Sequence, residues 1–421
     1  LIYNGVVFNE MKGALSDPDS VLFDTLSAAL FPDTTYRFES GGTPEAIPTL
    51  TYEAFLDNHR RHYRPDNSYI ILYGDLDLDR FLSFINDQYL YPIAADPAYR
   101  LRPDAVEQGE NPIEMRPNPL EIQQPVRSRG IKKKMVTTPD NSCAALGFVI
   151  GRASEREKFM AVDILMDAIM GSNASPLKKA LIDAQIANDC SAQVIDALAQ
   201  PFVMLTAKGL KTDAVEKFEK VVKDEAEKLS QGGLDRGLVR AALSNARFVM
   251  REQNFGYPDG VVLSMWAMSG WLYDDDMPYA YIPYEVIFES LEKKVDTGYF
   301  ESLLKEILLD NDHAAQVEVV SVDEDSDAVL EKRLSAIRDS LDSDQLQNIA
   351  SDLKNLREAQ ARPDSAEDLA KLPKLKISDI GEPPFEPDFH IAKVGGVSLL
   401  AHDVPTHAIS YFYRYYSLSN V

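Results

Sequence analysis

Histidine, cysteine and carboxylate side chains set the chemistry that this 421-residue chain could support. The histidines are His59, His62, His313, His390, His402 and His407. His59-Arg60-Arg61-His62 puts two of them one helical turn apart, which in isolation could be half of a zinc site. The intervening arginines argue against it, since their charges repel a dication and no carboxylate stands between the histidines to act as a base. The pair reads as a solvated helix face. No G-x-S-x-G turn occurs, and neither Cys143 nor Cys190 has a histidine nearby in sequence. Phosphate-cradling glycine loops, G-x-x-x-x-G-K-[ST] or G-x-G-x-x-G, are also missing. The two cysteines offer no disulfide framework and no metal-ligand spacing, which suits reduced thiols in a cytoplasm-like compartment, with an organelle matrix as the alternative.

One carboxylate stands out by its setting. Glu10 lies in Gly5-Val6-Val7-Phe8-Asn9-Glu10-Met11-Lys12-Gly13-Ala14, among apolar residues. A carboxylate buried there without a partner would cost several kcal/mol, so it would need a cation, a donor or a metal. Lys12, two residues on, would face elsewhere on a helix. On its residues alone Glu10 reads as a partly exposed surface glutamate rather than as a ligand.

The elements that would position such groups are legible from spacing. Val21, Leu22, Leu26 and Leu30 predict a helix over 19–30, ending at Phe31-Pro32. Thr51 caps a helix to Tyr63, Tyr69–Tyr73 has the composition of a strand, and Leu78, Phe81, Leu82 and Ile85 mark another helix. Pro103, Pro112, Pro117, Pro119 and Pro125 predict an extended linker over 106–130. Strands follow around 143–150, 190–194, 202–210 and 314–322. Ser154 and Glu157 form a capping box for a helix through Met170, and Ser175-Pro176 starts another. Gly232-Gly233 divides two long helices, 212–231 and 235–253. From Asp327 the pattern becomes a helical hairpin, with Ser343 capping its second arm and a proline-rich tail to 388. The order of elements is α+β, with helices on one side of an antiparallel sheet. The organisation expected is 1–105 as the remainder of a first α/β domain, 106–130 linker, 131–325 a second domain, 326–388 an interdomain hairpin, and a third unit from 389.

Composition bounds the rest. The formal charge is −24, from 43 basic and 67 acidic residues. Phosphate neutralisation needs a basic surface, so nucleic acid is excluded as a partner. No apolar run approaches the length of a membrane span. The negative field would favour cationic ligands, or it keeps the protein in solution and nothing more. The opening Leu1-Ile2-Tyr3-Asn4-Gly5, without an initiator Met or a signal peptide, reads as a cut inside a longer gene product, as does the end at Val421.

The segment Gly5–Gly13 resembles a signature of the presequence-protease and falcilysin branch of the insulinase (pitrilysin-like) metallopeptidases. The resemblance continues collinearly. It includes Pro18-Asp19-Ser20-Val21-Leu22, Ala29-Leu30-Phe31-Pro32-Asp33, Ser40-Gly41-Gly42, His62-Tyr63-Arg64-Pro65-Asp66-Asn67 and Tyr73-Gly74-Asp75. It carries on through Ala174-Ser175-Pro176-Leu177 and Arg362-Pro363-Asp364-Ser365. No motif is specific alone, but the ordered set is. The resemblance implies repeated insulinase-type domains and one zinc ion held by an inverted H-x-x-E-H motif plus a downstream glutamate. Glu10 matches that glutamate. No H-x-x-E-H occurs in these 421 residues, so the resemblance places the histidines and the general base before residue 1, with no catalytic residue in this stretch. It further implies a peptidase that encloses unfolded oligopeptides between two halves of one polypeptide, the remaining N- and C-terminal parts being partners of this stretch. Alone, the 421 residues are expected to hold zinc weakly or not at all and to be inactive. A non-catalytic scaffold or peptide-binding member of the same family is the alternative.

Overall fold

The computed structural model describes residues 1–92, 122–211, 213–323, 326–381 and 388–419. Most of the expected proline-rich linker and the Pro383, Pro384 and Pro387 part of the tail lie outside the described residues. Contacts divide the chain into residues 3–324 and residues 325–421, the latter with residues 1 and 2.

The larger unit is built on one five-stranded sheet in the order β1-β5-β2-β4-β3. Its strands are β1 (Arg127–Val136), β2 (Cys143–Val149), β3 (Asp189–Ile195), β4 (Phe202–Lys208) and β5 (Ala314–Val322). The β2–β4, β2–β5 and β3–β4 pairs are antiparallel, whereas β1 runs parallel to β5. Central β2, Cys-Ala-Ala-Leu-Gly-Phe-Val, is buried along its whole length. Side chains alternate between faces along a strand, so its residues divide between two cores. Ala144, Leu146 and Phe148 join the larger one, and Cys143, Ala145 and Val149 the smaller. The edge strand β1 carries Arg127, Arg129, Lys132, Lys133 and Lys134, the charged kind of edge that resists pairing with another chain.

Helices cover both faces. The larger core packs under α5 (Arg156–Met170), α6 (Pro176–Asp183), α7 (Val215–Gly232), α8 (Arg236–Glu252), α10 (Glu285–Lys294) and α11 (Tyr299–Leu308). The opposite face is covered by α2 (Pro18–Leu30), whose Leu22, Leu26 and Leu30 are fully buried. Gly147 makes that approach possible, because a Cβ there would lie 2.8 Å from Leu26 Cδ1 and 2.9 Å from Leu30 Cδ1. The expected α+β architecture is present, with a parallel edge and this second helical layer in addition.

Several local expectations are corrected. Strand β1 starts at Arg127, inside the stretch expected to be linker, because its run of cations hides the strand pattern. The run Tyr69–Tyr73 forms no strand, since no described strand pairs with it; strand composition without a neighbour leaves an extended segment. The Ser154/Glu157 capping box is absent. Glu155 is the N-cap of α5, and Glu157 instead accepts hydrogen bonds from Ser290 and Lys294. In the smaller unit, α12 (Ser326–Ser340) and α13 (Ser343–Ala361) are consecutive helices, and Asp342, not Ser343, caps α13, reciprocated by Gln345. A carboxylate one residue earlier displaces the serine as acceptor. Beyond the short α14 (Ala366–Lys371), β6 (Phe389–Val394) and β7 (Val397–His402) pair through Gly395-Gly396. No described helix is long and apolar enough to cross a membrane.

Candidate functional site

Glu10 lies on α1 (Val6–Ala14), which follows extended Gly5. Phe8 is the buried residue of this helix and meets the Tyr3 ring at 5.3 Å. Met11 fixes the neighbouring turn: a Cβ at Gly41 would lie 2.3 Å from Met11 Sδ, and Gly42 has φ +81°. The Ser40-Gly41-Gly42 turn therefore lets the chain pass closely over α1. Glu10 itself is exposed, with no hydrogen bond or ion pair among the described residues. It is held on an anchored helix and is not consumed by a structural partner.

No metal cluster gathers around it. Among the described residues no group of three or more histidine, cysteine or acidic side chains could hold a metal ion. His59 and His62 sit exposed on α3 (Tyr52–His62); His59 stacks on Tyr63 at 4.5 Å, and Asp57 pairs with Arg61 at 2.8 Å. The reading of this pair as a helix face agrees with that placement. His313 is buried, its Nε2 2.7 Å from the Leu30 carbonyl oxygen. His390, His402 and His407 are exposed in the smaller unit. A single carboxylate cannot retain a catalytic zinc against water, because such sites use three protein ligands. The described residues therefore do not fit a zinc ion by themselves.

A second arrangement was not anticipated from the sequence. A cleft of about 510 Å³ opens between α5, β3, α8 and α9 (Asp259–Trp271), with walls that include Phe159, Met160, Ile164, Met250, Trp266 and Phe288. Asp163 and Asp167 from α5 and Asp196 after β3 line it as well. Asp163 opens to solvent at the mouth of the cleft and makes no hydrogen bond or ion pair among the described residues; partial desolvation by the cleft walls, then the charges of Asp196 and Asp167, push its carboxyl up to about 6. Burial also raises Asp196, although backbone donors and Arg156 oppose it. A Cβ at Gly171 would lie 2.2 Å from Asp167 Oδ1, so the glycine makes room for that carboxylate at the helix end.

Arg156 lines the same cleft and is 8% exposed. Its Nη1 donates to the carbonyls of Ala280 at 2.7 Å and Pro283 at 2.8 Å, and its guanidinium lies 5.1 Å from the Tyr281 ring centre. Burial lowers its pKa to about 10, which leaves it charged at neutral pH. The available signal was the stripe Arg156, Met160, Asp163 and Asp167, which share one side of α5.

Known proteins resemble the chain along its length. Residues 49–245 match the family model described as Peptidase M16 inactive domain, and residues 320–421 match the model for the associated region of subfamily C of the same peptidases. Protein HypA of Clostridium perfringens (strain 13 / Type A) is 34% identical over 433 residues, covering 100% of this chain and 42% of that protein. Presequence protease 1, chloroplastic/mitochondrial, of Arabidopsis thaliana is 30% identical over 419 residues, covering 97% of this chain and 38% of that one. The chain thus spans about two fifths of the length of these relatives. Among solved structures, a protease from Helicobacter pylori superposes with TM-score 0.55 at 15% identity, covering 75% of this chain and 70% of that one. A putative M16-like peptidase from Alicyclobacillus acidocaldarius gives 0.52 at 16%, covering 76% and 69%. The two share the fold.

Proposed function

Because the chain belongs to the M16 (insulinase) peptidase family, on its presequence-protease branch, we propose that it is part of a zinc-dependent metalloendopeptidase that degrades unfolded oligopeptides inside a closed chamber. Glu10 furnishes one carboxylate ligand to the metal. The histidine ligands and the general base come from polypeptide outside these 421 residues, in the part that the longer relatives carry beyond the matched two fifths. In the whole protein a bound zinc supplies a polarised water and a Lewis acid. This chain's own part is to hold the Glu10 carboxylate in place. The observation that carries the reading is that Glu10 stands exposed and unpartnered on a helix fixed by Phe8, Met11 and the Gly41-Gly42 turn. Helices α12 and α13 are assigned as the connection between the two halves of the chamber, and the compartment as cytoplasm or organelle matrix.

The test is Glu10→Gln in the full-length protein, read by zinc content and by cleavage of an unfolded peptide. Loss of an outer-shell partner already costs about 10–100-fold in metal affinity or activity, so loss of a direct ligand is expected to exceed that in both readouts. Unchanged zinc content would remove Glu10 from the ligand set. The 421 residues alone are expected to show no zinc-dependent cleavage.

A non-catalytic scaffold or peptide-binding member is the second reading, favoured by the match of residues 49–245 to a model described as an inactive domain. It takes over if the full-length protein binds peptides yet cleaves none with zinc present.

A further inference from the structure

The lead-in to α1 contains a pair of groups that can react with each other without any partner molecule. Asn4-Gly5 is the single Asn-Gly pair in the 421 residues. At every asparagine the side-chain carboxamide lies within a five-membered ring of the next backbone nitrogen. The bulk of the following side chain and the hold on the backbone normally keep the two apart. Glycine removes the first obstacle, since it has no Cβ. The second is weak here. Asn4 and Gly5 are both exposed, and neither the Asn4 side chain nor the Gly5 N–H makes a hydrogen bond among the described residues. Gly5 is extended, at φ −158° and ψ 143°, and stands just outside the first turn of α1.

We propose that Asn4 is a site of spontaneous deamidation that controls the hold on the helix carrying Glu10. The Gly5 nitrogen gives up its proton and bonds to Asn4 Cγ, and the side-chain amide leaves as ammonia, which closes a succinimide. Water then opens the ring. Addition at Cγ breaks its new bond to the Gly5 nitrogen and gives aspartate on the ordinary backbone. Addition at the main-chain carbonyl carbon breaks the original peptide bond and gives isoaspartate, with the backbone running through Cβ and Cγ. The balance is one water consumed and one ammonia released, with no oxidant or cofactor.

The position of the pair gives the reaction its consequence. Tyr3, just before Asn4, meets the ring of Phe8, the buried residue of α1, at 5.3 Å. The contact spans the start of the helix as a hydrophobic staple does. Isoaspartate inserts one more backbone atom between the two rings and puts them out of register. Aspartate keeps the spacing and places a carboxylate ahead of a helix whose first turn has no acidic residue, which the helix dipole favours. One product therefore loosens α1 and the other does not. The modification stands by itself; its control over a metal rests on the reading of Glu10 as a ligand.

The experiment ages the 421-residue chain and the full-length protein in mildly alkaline buffer. Peptide mapping with electron-transfer fragmentation separates isoaspartate from aspartate, and hydrogen exchange follows the α1 amides. Isoaspartate is expected at residue 4 at least about tenfold faster than at the asparagines followed by a side chain. In Gly5→Ala the new Cβ would have only Phe8 Cβ nearby, at 3.9 Å, so the variant restores the obstacle without a clash. It should slow the reaction at least about tenfold, and Asn4→Gln, which needs a six-membered ring, should leave residue 4 unmodified. As isoaspartate accumulates, the α1 amides should exchange at least about tenfold faster, but not in aged Asn4→Gln or in freshly prepared Asn4→Asp. Accumulation at residue 4 no faster than elsewhere, or a rate untouched by Gly5→Ala, would overturn the site. Isoaspartate without faster exchange would overturn its hold on α1. In the full-length protein zinc should be lost in step with isoaspartate; zinc retained as α1 loosens would overturn the control over the metal and leave the modification standing. Mapping and exchange need neither zinc nor cleavage, so their failure leaves the Glu10 assignment standing.

Discussion

His313 and Asp163 are titratable groups with opposite effects on stability as pH falls. His313 is buried against Phe31, with Nε2 on the Leu30 carbonyl, and desolvation lowers its pKa below the ordinary 6.5. The unfolded chain therefore takes up the proton first. Stability contributed by neutral His313 is fully present above about pH 6.5 and falls as pH drops from there towards the folded value. Asp163 behaves the other way. Its carboxyl is raised to about 6 from 3.8, so its ionisation destabilises the fold at neutral pH, and that penalty is relieved as pH falls from about 6 to about 4. Asp163→Asn should raise the melting temperature at pH 7, and the gain should vanish by about pH 4. His313→Gln, which retains a donor for Leu30, should flatten the loss of stability between pH 7 and 5. Melting curves of both variants across that range check the signs, and a gain from Asp163→Asn that grew on acidification would refute the assignment. Neither environment was legible in the sequence, because each is made by residues far away in the chain: Leu30 for His313, Asp196 for Asp163. Glu10 was legible as a candidate, since its motif is local, and the structure places it on a short helix.

At the scale of elements, the sheet depends on a helix far from it in sequence. Strand β2 has apolar residues on both faces and needs two covers. α2 provides the second through Leu22, Leu26 and Leu30, reinforced by the Asp19–Lys208 ion pair and the Ser128 hydroxyl on the Ala29 carbonyl at 3.1 Å. Leu26→Ala should cost about 2–5 kcal/mol, the usual range for a fully buried leucine, and Gly147→Val should be at least as damaging, because the added side chain meets Leu26 and Leu30. Denaturant titration measures both, and a cost below about 1 kcal/mol for Leu26→Ala would mean that α2 is not part of the cooperative unit. Periodicity and composition identified α2 and the strands β2 to β5, since helix and strand patterns are written locally. The edge strand β1 escaped, because its cations face water and only its pairing with β5 defines it. Nor could local patterns show that α2 crosses to the sheet or that β1 runs parallel to β5, as both follow from long connections. Tyr69–Tyr73 makes the same point in reverse: a strand needs a neighbour, and its composition supplies none.

Over the whole molecule, two forces act against each other. The charge of −24 makes copies of the chain repel. Against this, α3 and α4 (Leu78–Ile85) leave Tyr52, Phe55, Leu56, Leu78, Phe81 and Leu82 exposed, large apolar side chains of the kind that drive association when they meet across two copies. Repulsion between solvent-exposed charges is screened over about 10 Å at 0.1 M salt and about 3 Å at 1 M. Apolar attraction is not screened and strengthens in sulfate. The 421-residue chain should therefore remain monomeric in dilute buffer and associate as sodium chloride or sulfate is raised. Phe55→Ser/Phe81→Ser should suppress that association without altering the monomer's circular dichroism, because neither ring is buried. Sedimentation velocity across a salt series measures it. Association that was strongest at low salt and dissolved on salt addition would instead point to pairing between the basic β1 edge and the acidic surface of a second copy, and the apolar face would lose its role.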